Sequence, residues 1–516
     1  MHIRALIGLA TVLVSLSGCE RRNLDTCRVP DLPCEDGRFC KVALGASVGK
    51  CEATECMQSS DCSTDRPNCG SGGRCYACGN AGDCTRNGNP GICDVGHCVE
   101  CKTSKDCSDK SRPYCEDQTR SCRACKRHYE CDSTPSARDG VCVKDDTLAT
   151  LPGTQALSAG MCVPQSRVVS VDMTTCAGSC VLQDKLAEVS ADKPYLRIGP
   201  FTSSATVTLR PVPGLPELHV MSTLADYSPP DPAAKDKAPN AFLTNPTGTA
   251  VSVESGVNVT IEGLLIKDSK LGIACVGSGN PTRVRVQRTL IAQSNVGIQT
   301  SAGCELSLDQ SWIGEGPRER YTGLANSANL LALDLDGTKF DITNSVFNHN
   351  SPAPGQFGGI LVRNATASTP GRIVNTSFVR HETASAARKA LVLDCNPATT
   401  NITIANSLFL NSTPLAGNTY VHAACRGPNQ KYIGSDDTSL TGEGNATDLV
   451  MSDVFTAPVS LGDMTLKMTA DARVRDGGLV QLLDSQSGKN IIPTTDIVGA
   501  ARSSTKLSLG AFEASR

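Results

Sequence analysis

Hydrolysis of a glycosidic bond needs two carboxyl groups held a fixed distance apart. One pair in this sequence sits at repeat-related positions. Asp336, Arg363 and Asp394 each follow a short apolar run: Leu331–Leu335, Ile360–Val362 and Leu391–Leu393. Strands stacked ~4.8 Å apart would set the two aspartates ~10 Å apart. An inverting glycosidase uses roughly 6.5–9.5 Å. The order Asp-Arg-Asp also describes a surface ion-pair ladder. An arginine between two carboxylates holds both ionised, whereas an inverting mechanism needs one protonated. The expectation is therefore a ladder, with catalysis as the alternative.

A second set of side chains could bind rather than react. Asp268, Gln293, Glu315, His349, Arg380 and Asn411 each fall seven residues after a recurring apolar anchor, and all are polar or charged. Asn350 and His381 extend the set. A continuous polar stripe suits sugar hydroxyls or uronate carboxylates; a row of solvated turns gives the same pattern. The longer segment 314–329, with Arg318, Glu319, Arg320 and Tyr321 and with Trp312 before it, could wall a groove beside it.

The elements that must position these residues are short strands. Ile261, Val286, Leu308, Ile342, Ile373 and Ile404 are the anchors, and five residues after each stands Ile266, Ile291, Ile313, Phe347, Phe378 or Phe409. A second short apolar run follows most of them, for example Gly272-Ile273, Gly297-Ile298 and Val421–Ala423. The anchors recur at intervals of 22–34 residues. Period-two strands of this length and spacing predict coils of a parallel β-helix. No coil can bury its apolar face alone, so neighbours must share one core. Asn344, Asn375 and Asn406 lie two after their anchors. They fit either an internal amide ladder or a row of turn asparagines.

The first part of the chain is a different material. Of the 27 cysteines, twenty lie between Cys27 and Cys162. They fall into five groups of four, and the last four groups each open with C-x5-C, the second cysteine of which follows an acidic residue: Asp61, Asp83, Asp106 and Glu130. C-x2-C junctions join the middle groups and raise the question of zinc. An exported chain with so few apolar residues predicts disulfides instead. Four cysteines allow three pairings, and spacing does not choose among them.

Hydrophobic residues are 39% of the 516, aromatics 4%, and the net charge is −3. Such a chain is too long for one core. The balance excludes a strongly basic nucleic-acid binder and a strongly acidic disordered chain.

Residues 1–18 carry Arg4 and then the short apolar run Ile7–Leu16, which reads as a secretory signal. Leu16-Ser17-Gly18-Cys19 resembles the bacterial lipobox. That resemblance implies a diacylated Cys19 as the mature N-terminus. Glu20 after it implies the outer membrane, at its periplasmic or outer face. The cysteine groups resemble the small disulfide-rich repeats of secreted proteins, including Dickkopf-type regions.

Residues 165–516 resemble the right-handed parallel β-helix (pectin-lyase-like) superfamily. Cys180–Val189 before Tyr195–Ile198 is similar to that family's short capping helix. Asp496, Gly499 and Arg502, followed by Leu509-Gly510-Ala511-Phe512-Glu513, resemble the ending of bacterial β-helix proteins of the choice-of-anchor type, and Arg473–Gly478 resembles the turn often found upstream of it. Polygalacturonase-like members carry a Gly-His-Gly, which is missing here, although Asp436-Asp437 is present.

The sequence thus predicts an all-β protein, a right-handed parallel β-helix solenoid preceded by small disulfide-rich modules. Residues 1–18 are the signal, 19–26 a lipid-anchored linker, 27–164 five cysteine modules and 165–516 the β-helix with its C-terminal cap. Stacking predicts a Cys395–Cys425 bond, Cys275 pairs with Cys304, and Cys176 and Cys180 pair locally. The expected function is binding of polysaccharide or another surface without catalysis. The alternative is a polysaccharide lyase or glycoside hydrolase. No metal or cofactor is expected, except calcium if the lyase alternative holds. The expected partners are the membrane through Cys19 and a polysaccharide or surface, with no nucleic acid; a monomer is expected.

Overall fold

A computed structural model describes the backbone of three short strands within residues 26–52, and residues 56–513 apart from several segments. The longest of these are 144–157, 172–181, 228–240, 316–328 and 381–391. The signal segment with Cys19, Cys176 with Cys180, and the loop residues Arg318 to Tyr321 and His381 lie outside the described residues. No helix among the described residues is long and apolar enough to cross a membrane.

The chain forms two compact units, Met1–Arg123 and Ala124–Arg516. In the first, disulfides replace a hydrophobic core. The first cysteine of each described group bonds the third and the second bonds the fourth: Cys56–Cys69 and Cys62–Cys75, Cys78–Cys93 and Cys84–Cys98, Cys101–Cys115 and Cys107–Cys122. The sulfur atoms of Cys101, Cys107 and Cys122 lie within 4.8 Å of one another, but all three are in disulfides. They cannot serve as the thiolates that zinc requires. Where it is described, the acidic residue before the second cysteine caps a turn. Asp106 Oδ2 accepts the backbone N–H groups of Lys102 and Thr103 at 2.9 and 2.8 Å, and Asp61 accepts that of Gln58. The repeated acid is thus a folding device.

The second unit is a parallel β-helix. Ten parallel strands from Val168–Val171 to Gln430–Lys431 make one sheet. A thirteen-stranded sheet wraps the remaining faces. The anchors stand in register, with Ile261 against Val286, Val286 against Leu308, Leu308 against Ile342, Ile342 against Ile373 and Ile373 against Ile404. All six are fully buried in one continuous core. Each contributes about 1.5–3 kcal/mol of apolar burial, available only because the next coil covers it. Phe347, Phe378 and Phe409 form an internal stack with ring centroids 4.7 Å apart at both steps.

Turns repeat as strictly as strands. Arg288, Gln310, Asn344, Asn375 and Asn406 all adopt left-handed backbone, with φ between 44° and 50°. Asparagine tolerates that region better than most side chains. The asparagine row is therefore a turn row. Of its side chains, Asn406 Nδ2 reaches Asn375 Oδ1 at 3.5 Å, whereas Asn344 accepts from Arg502 and donates to Asp309.

Two staples cross the coils. Cys275 bonds Cys304 and Cys395 bonds Cys425, with Cα separations of 6.4 and 5.3 Å. The short helix Leu182–Leu186 presents Leu182 and Leu186 to the first coils. The fifth cysteine group belongs to this unit, paired Cys125–Cys142 and Cys131–Cys162. Val141, Val143 and Val163 pack there on Val168, Tyr195 and Met221 of the ten-stranded sheet.

Candidate functional site

The second sheet changes character along the solenoid. In the early coils its strands are continuous, Leu265–Cys275 and Leu290–Thr300, and bend at Asp268 and Gln293, whose φ angles are 48° and 53°. In later coils the two strands are separate, and a longer stretch of sequence joins them. These longer joins run from Glu315, Asn350, Arg380 and Asn411 to Leu331–Asp336, Ile360–Arg363, Leu393–Asn396 and Tyr420. Four successive coils thus carry an insertion on one edge.

The expected polar stripe lies along this edge, but it is not a uniform solvated row. Asp268 and Gln293 are half-exposed. Glu315 and Asn411 are buried, each about 1% exposed. Glu315 Oε2 lies 2.9 Å from both His349 Nδ1 and Arg380 Nη1. These three residues form a charged knot around the buried Glu315 carboxylate, with the His349 and Arg380 side chains only 25% and 15% exposed. An amide chain that sequence reasoning missed runs beside it. Asn329 Nδ2 donates to Asn350 Oδ1 at 3.0 Å, and Asn350 Nδ2 to the Ile313 carbonyl at 3.0 Å. The only sequence signal for it was an asparagine placed where each loop meets a strand.

Trp312 is corrected from the groove-wall expectation. It is fully buried, and its indole N–H donates to the Glu315 carbonyl at 2.6 Å. It packs in a second cluster that includes Ile497, Leu509 and Phe512 of the C-terminal segment. That segment explains the C-terminal motif. Arg502, almost fully buried, pairs with Glu513 at 3.2 Å and donates to Asn344 Oδ1 and to the Gly510 and Ala511 carbonyls, each at 3.0 Å. Asp496 accepts the backbone N–H groups of Val498, Ala500 and Glu513. Gly510 has φ +84°, and a Cβ there would stand 2.5 Å from Ser377 Oγ. The motif is a latch that closes the outer face of the second sheet.

The carboxylate column is also corrected. Asp336 stands against Arg363, but Arg363 stands against Asn396, and Asp394 stands against Leu361. Cys395 takes the inward position that Leu335 and Val362 hold. Asp394 lies two residues before the column position that Asn396 holds, because the strand continues inward through Cys395, a buried cysteine that behaves as a small apolar side chain. Arg363 is instead chelated by Asp334, with Nε and Nη2 each 2.9 Å from a carboxylate oxygen, and lies 3.6 Å from Asp336. Asp394 pairs with His422 at 3.1 Å.

Asp436-Asp437 sits where the next coil would carry Leu410 and Asn411. Asp437 is consumed by structure, accepting from Tyr420 N–H and from Ser439 N–H and O–H. Burial pushes the Asp436 carboxyl up to about 6, and neither of its oxygens has a hydrogen-bond partner among the described residues.

Neither a known protein family nor a curated protein matches this chain.

Proposed function

We propose that this protein is exported and held on the outer membrane by lipid on Cys19. In this reading it binds polysaccharide or another surface with the insertion-bearing edge of its β-helix, without catalysis. The observation that supports this is the placement of four insertions on the same edge of successive coils. Sequence insertions gathered at one position of successive coils mark a binding face. The charged knot of Glu315, His349 and Arg380 gives that edge a fixed base. The polysaccharide class is read from the resemblance to pectin-lyase-like proteins.

The test is a glycan array with product analysis, repeated on a variant whose four insertions are cut to short glycine-serine turns. Retention on acidic polysaccharide without new reducing ends, lost in the shortened variant, supports the reading. Binding that survives the shortening, or no binding at all, overturns it. The anchor is tested separately: Cys19→Ala should move the protein out of the membrane fraction.

A second reading, a polysaccharide lyase or glycoside hydrolase, is favoured by one observation. Asp436 holds its proton more tightly than an ordinary carboxyl, as a general acid must. New reducing ends or unsaturated uronate absorbance, abolished by Asp436→Asn, would establish it in place of binding.

A further inference from the structure

A cavity of about 260 Å³ lies on the outer face of the ten-stranded sheet, roofed by the fifth cysteine group. Its floor comes from adjacent strands. Tyr195, His219, Thr260 and Arg285 form one in-register column, and Met221, Glu262 and Gln287 form the next. Its roof carries His128 and Cys142. The roof is fixed in place: the backbone N–H groups of His128 and Tyr129 donate to Asp226 at 2.7 and 2.8 Å, and Asp132 pairs with Arg197 at 3.2 Å.

Three buried groups lining this cavity, His128 Nε2, His219 Nε2 and Tyr195 Oη, have no hydrogen-bond partner among the described residues. His128 Nδ1 accepts the Cys142 N–H at 3.0 Å, so the neutral ring carries its proton on Nε2 and is a donor there. The nearest carboxylate oxygens, of Glu262 and Glu217, stand 3.4 and 3.5 Å from the two imidazoles without forming hydrogen bonds. Both carboxylates are engaged elsewhere, Glu262 by Arg288 and Glu217 by the Thr260 hydroxyl. Buried polar groups are ordinarily satisfied, and a cluster of exceptions calls for a partner.

We propose that this cavity binds a small oxyanion-bearing ligand, a carboxylate or phosphate on a molecule no larger than one sugar ring. His128 Nε2 is a donor, the Tyr195 hydroxyl can rotate to donate and His219 Nε2 donates in one tautomer, while Arg285 and Arg288 line the cavity together with Glu262, whose charge Arg288 balances. An acceptor-rich, negatively charged group completes such a set. The volume lies below the usual range for drug-sized ligands, which limits the ligand to a single ring or an inorganic ion. Burial also holds His219 below its ordinary value, opposed by Glu217 and Glu262 and assisted by Arg285 and His128. An anion beside the ring would raise it.

The experiment follows the imidazole resonances of the isotope-labelled exported chain by NMR while inorganic phosphate, galacturonate, galactose or zinc is added. The expected result is a saturable shift of the His128 and His219 signals with phosphate, galacturonate or both, none with galactose, and a rise in the His219 titration midpoint. Phosphate alone identifies a phosphate ligand and galacturonate alone a sugar acid. Tyr195→Phe and His219→Gln should each weaken binding about tenfold, about 1.4 kcal/mol. No shift with either anion up to about 10 mM, an equal response to galactose, or saturation by zinc alone overturns the proposal. The wild-type titration decides the matter even if a variant fails to fold.

Discussion

Arg380 Nη1 stands 2.9 Å from Glu315 Oε2, although the two residues are 65 positions apart. The arginine reaches past His349 of the intervening coil, which touches the same carboxylate oxygen. Glu315 is buried, so removing its cationic partner leaves a charge in a low-dielectric site. Arg380→Ala should destabilise the β-helix by about 3 kcal/mol. Adding Glu315→Gln should restore part of that loss. Urea unfolding of the two variants and the wild type measures both. Equal stability of wild type and Arg380→Ala would show that the knot is solvated.

The phenylalanine stack predicts a steeper loss. Phe378 is sandwiched between Phe347 and Phe409, with planes 18° and 7° from parallel. Coils above and below are fixed by their own ladders and cannot collapse into the space. Phe378→Ala should cost about 3–5 kcal/mol, while Phe378→Leu should cost less. Thermal unfolding of both variants gives the comparison.

The turn-capping acid of the cysteine modules should matter locally. Hydrogen bonds from Thr103 and Lys102 hold the Asp106 carboxyl below the usual carboxylate range. Asp106→Ala should cost its module about 1 kcal/mol. With both disulfides intact the module will stay folded, so the readout is faster amide exchange at Lys102 and Thr103. Unchanged exchange would mean the cap contributes nothing.

Asp436 makes a pH prediction with a definite sign. Its carboxyl is raised from 3.8 to about 6. The folded state therefore holds the proton more tightly than the unfolded one. Its contribution is complete below about pH 3.8 and is lost as pH rises through about 6. Stability of the wild type relative to Asp436→Asn should fall between those values and level off above them. A flat difference across that window would place the ionised carboxyl in water.

The solenoid was legible because its signal is a period. Ile342 and Phe347 recur as Ile373 and Phe378 and again as Ile404 and Phe409, since each coil must offer the same inward positions to its neighbours. The site was less legible. Asp394 was misplaced by two residues because hydropathy does not show that Cys395 points inward. Glu315 read as a stripe residue because nothing local marks it as covered. The cavity beside His219 left no motif, since His128 lies 91 residues earlier in the chain.

By itself, the sequence determined the all-β class, the coil anchors, the cysteine-rich modules and the positions where the chain must turn. These follow from alternation and spacing, which act between near neighbours. Only the tertiary structure decided which cysteines pair within each four-cysteine module, that the C-terminal motif is a latch around Arg502, and that Trp312 lies beneath it. It alone joined the fifth cysteine group to the sheet over His219. These depend on which surfaces meet when distant segments pack, and the energy of such contacts is shared among residues that carry no common local pattern.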